Sequence, residues 1–524
     1  MTEHTAALPE MQPPPARRSK RGLVAVIASV VAVVLIAGGG YAAWALYFGS
    51  GPGPAEVLPT STFALATVDL DPSGGQKVEA IKTLRKFPSW RERTGVTPDS
   101  DLVEAIFDEA LKDGPCKSLD YKGDIEPWIG SRAGVGGVLL DDKPTPVFTL
   151  QIKDKELART GFAKLAKCSE ADNEEFGWTL TDDYLVGSDS KANAEAIVSA
   201  GKKAPLAEDA DFQKWTEEAG GPGILNVYVG RKSVNALTDL MGGELAGLTG
   251  EEGSAFDEDP GSEEELNKAF KDLKGAAAVL RFDDGSIEFS FASGGATSKK
   301  DRTVAKHVGA LPKDTAAVAA FAWPEKALEQ MKDPSAEGLG SFAEMFTEGT
   351  GLEFPDDLIT LLGTSLSISV GAAAPADLNA VAGLDDVPLG LLIHGDEAEI
   401  KAAIAKVESH TGQQLSELPA TVSSGDGKVA ISGTTEYGEQ LLENGSLGDS
   451  KDFQDAVSHS SEAQGVLYVD LDSDWMDTFR EMLAEEDDPD ATEVADNLAV
   501  LRALGASTWS EGTTSHGLVR ISLK

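Results

Sequence analysis

The sequence predicts an α+β protein made of two tandem homologous copies of a mostly antiparallel sheet with packed helices, preceded by one transmembrane helix. Three observations predict this architecture. An uncharged apolar span lies near the N-terminus, a set of segments recurs in the same order in both halves, and each half has the same pattern of strands and helices. We therefore expect most of the chain to form a duplicated domain outside the cell membrane.

The predicted membrane helix spans residues 22–48, which include no charged residue. This length suffices, because a helix needs about 20 apolar residues to cross the hydrocarbon. Four basic residues between 17 and 21 precede the span, which places the N-terminus in the cytoplasm. We predict a disordered basic tail at 1–21 and a spacer at 49–54. A cleaved signal peptide is the alternative, since Ala43-Trp44-Ala45 loosely fits a cleavage site.

The composition describes a strongly acidic chain. It has 87 acidic and 45 basic residues and a net charge of −42. Nucleic acid is excluded as a partner because phosphates require a basic surface. Anionic lipid head groups are a poor docking surface for the same reason. The simplest interpretation of the acidity is solubility through self-repulsion, and diffuse cation binding is the alternative.

Five segments of the first half return in the same order in the second half, which indicates an internal duplication. Leu58-Pro59 with the strand that follows returns at Leu311-Pro312. The matched segments are 58–66 with 311–319, 124–131 with 357–364, 146–165 with 388–407, 211–213 with 452–454, and 228–229 with 468–469. We predict copies at 55–300 and 306–524.

Each copy has the same predicted series of strands and helices. Alternating apolar residues predict strands at 133–140 and 147–152 in the first copy and at 365–370 and 389–394 in the second. An amphipathic helix follows, and Asp154 or Asp396 caps it. In the first copy Leu157, Phe162 and Leu165 are predicted to form its buried side. A pair of strands closes each copy, at 276–282 with 286–292 and at 506–510 with 517–523.

Two cysteines, Cys116 and Cys168, both lie in the first copy. In an exported domain such a pair predicts one disulfide. Two buried free thiols are the alternative. Because no Cys-x-x-Cys pair exists, neither a zinc site nor thioredoxin-like chemistry is indicated.

The sequence gives only weak evidence for catalytic or metal-binding residues anywhere in the chain. Asp69 and Asp71 resemble a metal-binding pair, but the second copy has no carboxylates at the equivalent place, so we interpret Asp71 as a helix cap. Acidic stretches at 251–265 and 485–490 are interpreted as solvated loops, with weak calcium binding as the alternative. His394 ends an apolar strand and is interpreted as structural. We therefore predict no catalytic, cofactor-binding or metal-binding residue and no cofactor.

Several segments resemble a family of actinobacterial single-pass membrane proteins of unknown function. The resemblance comprises the basic-flanked apolar span, Leu58-Pro59 leading to the run from Val68 to Lys77, the run from Pro127 to Arg132, and the two cysteines. It covers most of the chain. It implies an exported domain, and it brings no activity, ligand or functional residue with it.

The function predicted from these features is a non-catalytic binding or scaffolding module at the cell envelope. Its partners would be the membrane, through the N-terminal helix, and an envelope protein or ligand that the sequence does not name. One alternative is a carrier or sensor for an apolar ligand held between sheet and helices, and another is a cell-envelope hydrolase with an unrecognised site. We expect the copies to pack against each other and any ligand site to lie at their junction.

The topology has a direct test. A reporter that is active only outside the membrane, fused after Lys524, should be active, because the basic residues at 17–21 hold the N-terminus inside. Protease added to intact protoplasts should remove nearly all of the mass. A C-terminus that stays protected from the protease contradicts the export prediction.

Overall fold

The strands of the second half join those of the first half in one sheet. The computed structural model describes residues 53–69, 79–80, 82–89, 116–168, 177–231, 273–295, 304–323, 328–329, 331–332, 339–373, 383, 386–412, 420–485 and 489–524. The tail 1–21, the span 22–48, the spacer up to residue 52 and the acidic stretch 251–265 lie outside them, as do residues 486–488 of the second acidic stretch. Among the described helices, none is both long and apolar enough to cross a bilayer.

The first half contributes eight strands and three α-helices to the described structure. The strands are β1 (Thr62–Asp69), β2 (Ile129–Leu140), β3 (Lys143–Ile152), β4 (Gly177–Leu180), β5 (Tyr184–Ser188), β6 (Leu225–Gly230), β7 (Gly275–Asp283) and β8 (Ser286–Gly294). The helices are α1 (Lys155–Cys168), α2 (Lys191–Gly201) and α3 (Ala210–Glu218).

The second half contributes another eight strands and more helices. The strands are β9 (Ala317–Phe321), β10 (Ser365–Val370), β11 (Leu389–His394), β12 (Thr421–Gly425), β13 (Lys428–Ser432), β14 (Gly465–Asp470), β15 (Leu501–Glu511) and β16 (Thr514–Leu523). The helices are α4 (Ala305–Gly309), α5 (Leu339–Thr350), α6 (Asp356–Leu362), α7 (Glu397–Thr411), α8 (Thr435–Leu442), α9 (Lys451–Ala456), α10 (Asp474–Glu485) and α11 (Pro489–Leu498).

All sixteen strands lie in one sheet, and the two halves have the same strand order. Read inward from each edge, the first half runs β4-β5-β3-β2-β1-β6-β7-β8 and the second runs β12-β13-β11-β10-β9-β14-β15-β16. The halves meet where β8 pairs with β16 from Ser286–Ser522 to Gly294–Thr514. Every described pairing is antiparallel, so the predicted α+β class with mostly antiparallel strands is confirmed, and the strands form one large sheet.

Helices cover one face of this sheet along its length, and we call it the covered face. Helices α2 and α3 pack on it in the first half, around Tyr184, Trp215 and Tyr228. Helices α4, α8 and α9 pack on it in the second half, around Tyr437 and Tyr468. The opposite face carries one apolar cluster beside α7 and a larger one that extends from α1 across the first half as far as Phe282 on β7. In its centre that face is partly exposed, and we call it the open face.

The predicted caps of α1 and α7 are confirmed. Asp154 accepts hydrogen bonds from the backbone N–H groups of Glu156 and Leu157 at 2.9 and 2.8 Å, and Asp396 accepts two from the start of α7 at 2.9 and 3.0 Å. One predicted core residue is wrong, because Leu157 is 47% exposed. The buried side of α1 is centred on Ala158, Gly161 and Phe162, and Leu157 lies about 100° from Ala158 around the helix.

The two cysteines are brought together as predicted. Cys116 and Cys168 lie at disulfide-bonding distance, with their Cα atoms 5.1 Å apart. Cys168 is the last residue of α1, so the bond joins the end of this helix to the segment that leads into Tyr121–Ile125. Tyr121, Ile125 and Phe162 then share one buried cluster on the open face.

Across the junction, the Arg520 guanidinium donates to Glu288 at 3.0 Å, and their side chains are 17% and 11% exposed. Glu288→Gln should lower the free energy of unfolding by about 3 kcal/mol, because it leaves a buried cation without its partner. The joint replacement Glu288→Leu with Arg520→Leu should cost less than Glu288→Gln, because it leaves no charge buried without a partner. Chemical denaturation of both variants measures the difference.

The control for this experiment is Asp182→Asn, which breaks the exposed pair of Lys155 with Asp182 (N–O distance 3.0 Å). It should cost much less than Glu288→Gln, because solvent screens an exposed ion pair. Equal losses for Glu288→Gln and Asp182→Asn would show that the junction pair contributes no more than a surface pair.

Candidate functional site

Strand β10 buries its polar side chains and exposes an apolar one. Its sequence alternates Ser365, Ser367 and Ser369 with three aliphatic residues. The three serines are 2%, 5% and 1% exposed on the covered face, whereas Ile368 on the open face is 50% exposed. Alternating strands normally turn their apolar side chains toward the core. In β10 the pattern is inverted.

The two strands at the junction repeat this inversion. In β8, Ser286, Glu288 and Ser290 lie on the covered face and are at most 9% exposed, whereas Phe289 between them is 38% exposed. In β16 the covered face carries His516, Arg520 and other polar residues, while the open face carries Val519 and Ile521, which are half-buried. The inversion therefore runs through both halves.

Hydrogen bonds to the covering helices explain why polar residues are tolerated on the covered face. The Ser290 hydroxyl donates to the Ala219 carbonyl at 2.6 Å, and Arg281 donates to the Ala219 and Gly220 carbonyls at 2.8 and 2.9 Å. These carbonyls follow α3 and lack partners within the helix. Similarly, the Ser507 hydroxyl donates to the Ser458 carbonyl, just after α9, at 2.6 Å. Polar side chains of the strands thus cap the C-terminal ends of the helices that pack on them.

The centre of the open face forms an uncharged surface, which we call the open band. It comprises three adjacent rows of seven residues, one from each of the neighbouring strands β10, β9, β14, β15, β16, β8 and β7. The rows are Ile368, Ala319, Leu467, Ala506, Val519, Phe289 and Leu280; then Leu366, Phe321, Gly465, Thr508, Gly517, Phe291 and Ala278; then Val370, Ala317, Val469, Leu504, Ile521, Ile287 and Phe282.

The open band is apolar, and it is accessible between β10 and β8. At its β7 end, Phe282 is 1% exposed and belongs to the cluster beside α1. Four of its large side chains are exposed: Phe321 at 52%, Ile368 at 50%, Leu467 at 41% and Phe289 at 38%. None of its residues carries a charge, although the chain has 132 charged side chains, 87 acidic and 45 basic. A contiguous exposed apolar patch of this kind marks an interaction or ligand site in soluble domains. The open band crosses the β8–β16 junction, so both halves supply it.

On the covered face, a second set of contacts joins the halves. The His516 ring lies with its Nε2 3.5 Å from the Glu218 carboxylate at the end of α3. The same ring stacks on Trp509, with ring centroids 5.2 Å apart, and Trp509 stacks on His459 at 4.2 Å. His516 is only 7% exposed, so this group packs the junction.

A buried polar cluster that contains two histidines lies in the second half. The His307 and His394 rings stack with their centroids 3.7 Å apart and an angle of 7° between their planes. His307 Nδ1 also contacts the Ser365 hydroxyl. Lys428 lies beside His394 in the sheet register and donates to the Leu442 carbonyl at 2.9 Å, at the end of α8.

This cluster has the residue types of a Ser-His nucleophile pair but lacks the access that catalysis requires. Ser365 is 2% exposed. Burial, with smaller contributions from the neighbouring His307 and Lys428, lowers the pKa of His394 to about 3. The pKa of His307 is also lowered, mainly by burial. Both rings are therefore neutral near pH 7, and they pack as flat, half-buried groups.

The predicted absence of a metal site remains a prediction. Asp69 forms an ion pair with Arg132 at 2.9 Å, and its partner in the proposed pair, Asp71, lies outside the described residues. Within the described part of the chain, no three His, Cys, Asp or Glu residues are grouped as metal ligands. His394 ends β11 and stacks on His307, which agrees with a structural role.

The open band was missed by the sequence analysis, although the sequence carries a signal for it. The Ser-Leu-Ser-Ile-Ser-Val run of β10 and the Ser-Ile-Glu-Phe-Ser-Phe run of β8 define two faces each. Which of the two faces is buried depends on whether the helices packed on the sheet offer unpaired carbonyls. An alternating sequence pattern defines the two faces but does not show which of them the helices cover. The expectation that a ligand site lies at the junction remains a proposal.

Comparison with known proteins adds no relative: no family model, no curated protein and no solved structure matches this chain.

The histidine stack predicts acid sensitivity. A histidine whose folded-state pKa is depressed stabilises the fold fully above its unfolded pKa of about 6.5, and that stability is lost as the pH falls toward the folded value near 3. Between pH 6.5 and 5 the loss is at most about 1.4 kcal/mol per pH unit for His394, and solvent screening of the half-buried ring reduces it.

His394→Ile should flatten this pH dependence, since Ile152 occupies the equivalent position in the first half. The free energy of unfolding at pH 7, 6 and 5 measures it. His410→Gln, which changes an exposed histidine, is the control and should leave the slope unchanged. Equal slopes for the wild type and His394→Ile would contradict the assignment.

Proposed function

We propose that this chain is a non-catalytic binding module, held at the outer face of the cell membrane by residues 22–48, and that it binds an apolar ligand on the open band. The inverted alternation of the strands carries the proposal. Ser365, Ser367 and Ser369 are buried while Ile368 is exposed, so the apolar side of β10 faces a surface that no described element covers. Exposing aliphatic surface to water costs about 25 cal/mol of free energy per Å², and a ligand that covers this surface recovers that free energy.

Charge favours an apolar ligand over a polar one. The open band has no charged residue, and within it only Thr508 carries a polar side chain. Hydrogen-bonding or ionic ligands would lose their water without finding partners there, which costs free energy. Apolar molecules lose nothing comparable. The absence of charge in the open band therefore favours a carrier or sensor for an apolar ligand over the other binding functions.

A non-catalytic role agrees with the position of the Ser-His contact. Ser365 lies under α4 on the covered face, and the open band lies on the opposite face of the same strand. A ligand on the open band would therefore be separated from Ser365 by the thickness of the sheet. A hydrolase would need a different nucleophile or a rearrangement of the covering helices.

The two halves are best explained as a tandem duplication of one α+β unit, at 55–300 and 306–524. The identical order of eight strands in each half supports it. The recurring caps at Asp154 and Asp396, in equivalent helices, support it as well. Because the open faces merge at the junction, the first half adds β8 and β7 to the five strands that the second half contributes to the open band.

Photolabelling tests the proposal. The full chain in phosphatidylcholine nanodiscs is treated with a diazirine-labelled hexadecane, and labelled peptides are identified by mass spectrometry. Peptides of β10, β14 and β8 should be labelled. Ile368→Asp and Leu467→Asp should reduce that labelling about ten-fold or more, since each places a charge in the open band.

The matched control is Leu157→Asp, which alters an equally exposed leucine outside the open band, on α1. It should leave labelling of the three strands unchanged. Labelling that is absent from β10, β14 and β8 in the wild type, or equal in all variants, would reject an apolar ligand on this face.

A further inference from the structure

We propose that α4 is a pH-sensitive conformational switch: it packs on the covered face while His307 and His394 are neutral, and it detaches from the sheet when both rings gain protons. This switch lies on the covered face and does not depend on a ligand at the open band. Three features lead to it: the stacked rings, the charges around them, and the short length of α4.

The histidine stack joins α4 to the sheet. The ring of His307 on α4 lies flat against the ring of His394 on β11, with the centroids 3.7 Å apart. His307 Nδ1 also contacts the Ser365 hydroxyl on the neighbouring strand β10. The buried Nε2 atom of His394 has no hydrogen-bond partner among the described residues, so a proton added there would lack an acceptor. Neutral rings can stack at this distance, whereas two imidazolium cations repel each other.

The charged groups that act on the stack oppose its protonation. Burial is the main cause of the lowered pKa of both rings, and nearby cations lower the pKa further. Lys428 on β13 lies beside His394 in the sheet and acts on both rings, and Lys306 on α4 acts on His307. Neither cation can compensate a proton on either ring, so both favour release of α4 in acid.

Acidic side chains on the elements around the stack do not offset these cations. Glu397 is half-buried and accepts a hydrogen bond from the Gly427 backbone N–H at 2.8 Å. The other acidic residues on these elements are exposed to solvent: Asp396 before α7, Asp426 in the β12–β13 turn, Glu436, Glu439 and Glu443 on or after α8, and Asp449 and Glu462 in the two turns beside α4. The pKa shifts of the two rings arise from burial and from cations.

Helix α4 is short enough to open while the sheet stays folded. It has five residues, and its apolar contacts come from the buried Val304 and Val308. At its start, the Val304 N–H donates to the Ala463 carbonyl at 2.9 Å. Local opening of such a segment costs less free energy than unfolding of a sheet, and it would expose both rings to water. The acid sensitivity of the stack should therefore appear first in α4.

The first half has an equivalent segment without the two rings. The turn Pro54–Glu56 precedes β1 as α4 precedes β9, and each packs on a short turn that leads into α3 or α9. Pro54 corresponds to His307, and Ile152 corresponds to His394. Neither replacement can take up a proton. The first half thus supplies a control within the same chain.

Hydrogen exchange of the full chain in phosphatidylcholine nanodiscs tests the switch. Exchange is measured by mass spectrometry at pH 7 and pH 5 and corrected for the intrinsic rates. Protection of the amides in 304–311 should fall about ten-fold at pH 5, because His394 has a pKa of about 3 when covered and about 6.5 when exposed. His394→Ile should reduce this fall. His307→Phe, which keeps a flat ring that cannot titrate, should reduce it as well, and the exposed control His410→Gln should not.

A fall in protection that is confined to 304–311, and that both histidine variants reduce, supports the switch. An equal fall in residues 54–58 or in β15 would show that acid loosens the whole fold, and it would overturn the proposal. Protection that is the same at both pH values would overturn it too, as would an equal fall in the wild type and both histidine variants.

Discussion

The pairing of β8 with β16 is the interaction on which the rest of the structure depends. Nine residue pairs, from Ser286–Ser522 to Gly294–Thr514, join two eight-stranded halves into one sheet. Without it each half would expose the edge of a long strand, which invites pairing with other chains. With it, the two open faces become continuous. The open band exists only because this pairing aligns Phe289 of one half with Val519 of the other.

The covered face determines what the open face becomes. Its helices end against the sheet with carbonyl groups that require donors, and the donors come from strand residues such as Ser290, Arg281 and Ser507. Each such bond contributes about 1 kcal/mol and avoids the larger cost of a buried unpaired carbonyl. Since side chains alternate, donors on the covered face leave the aliphatic residues on the other. The exposed apolar surface thus follows from how the helices are terminated.

Sequence reasoning predicted local structure better than it predicted the assembly. The bounds of β10 and β11 and the caps at Asp154 and Asp396 were correct, because alternation and capping are local signals. The strand order, and with it the single sheet, depends on contacts between distant segments, which periodicity does not encode. Leu157 was misplaced because three apolar residues at helical spacing suggested a stripe that is narrower in the structure. The open band was missed because a rule that buries apolar side chains assigns β8 and β10 the wrong way round.

The junction also shows how a duplicated chain keeps its halves paired with each other. The turns before β8 and β16 place Glu288 and His516 at equivalent positions, and likewise Ala292 and Arg520. In the observed register Glu288 faces Arg520, and His516 faces Ala292. If β8 paired with the β8 of another copy in the same register, each Glu288 would face an alanine and be buried without a cation, which is costly. If β16 paired with another β16, Arg520 would face His516, and the guanidinium would lose its carboxylate. Only pairing of β8 with β16 satisfies Arg520, so the divergence at these two equivalent positions selects the β8–β16 junction over pairing of like strands from two chains.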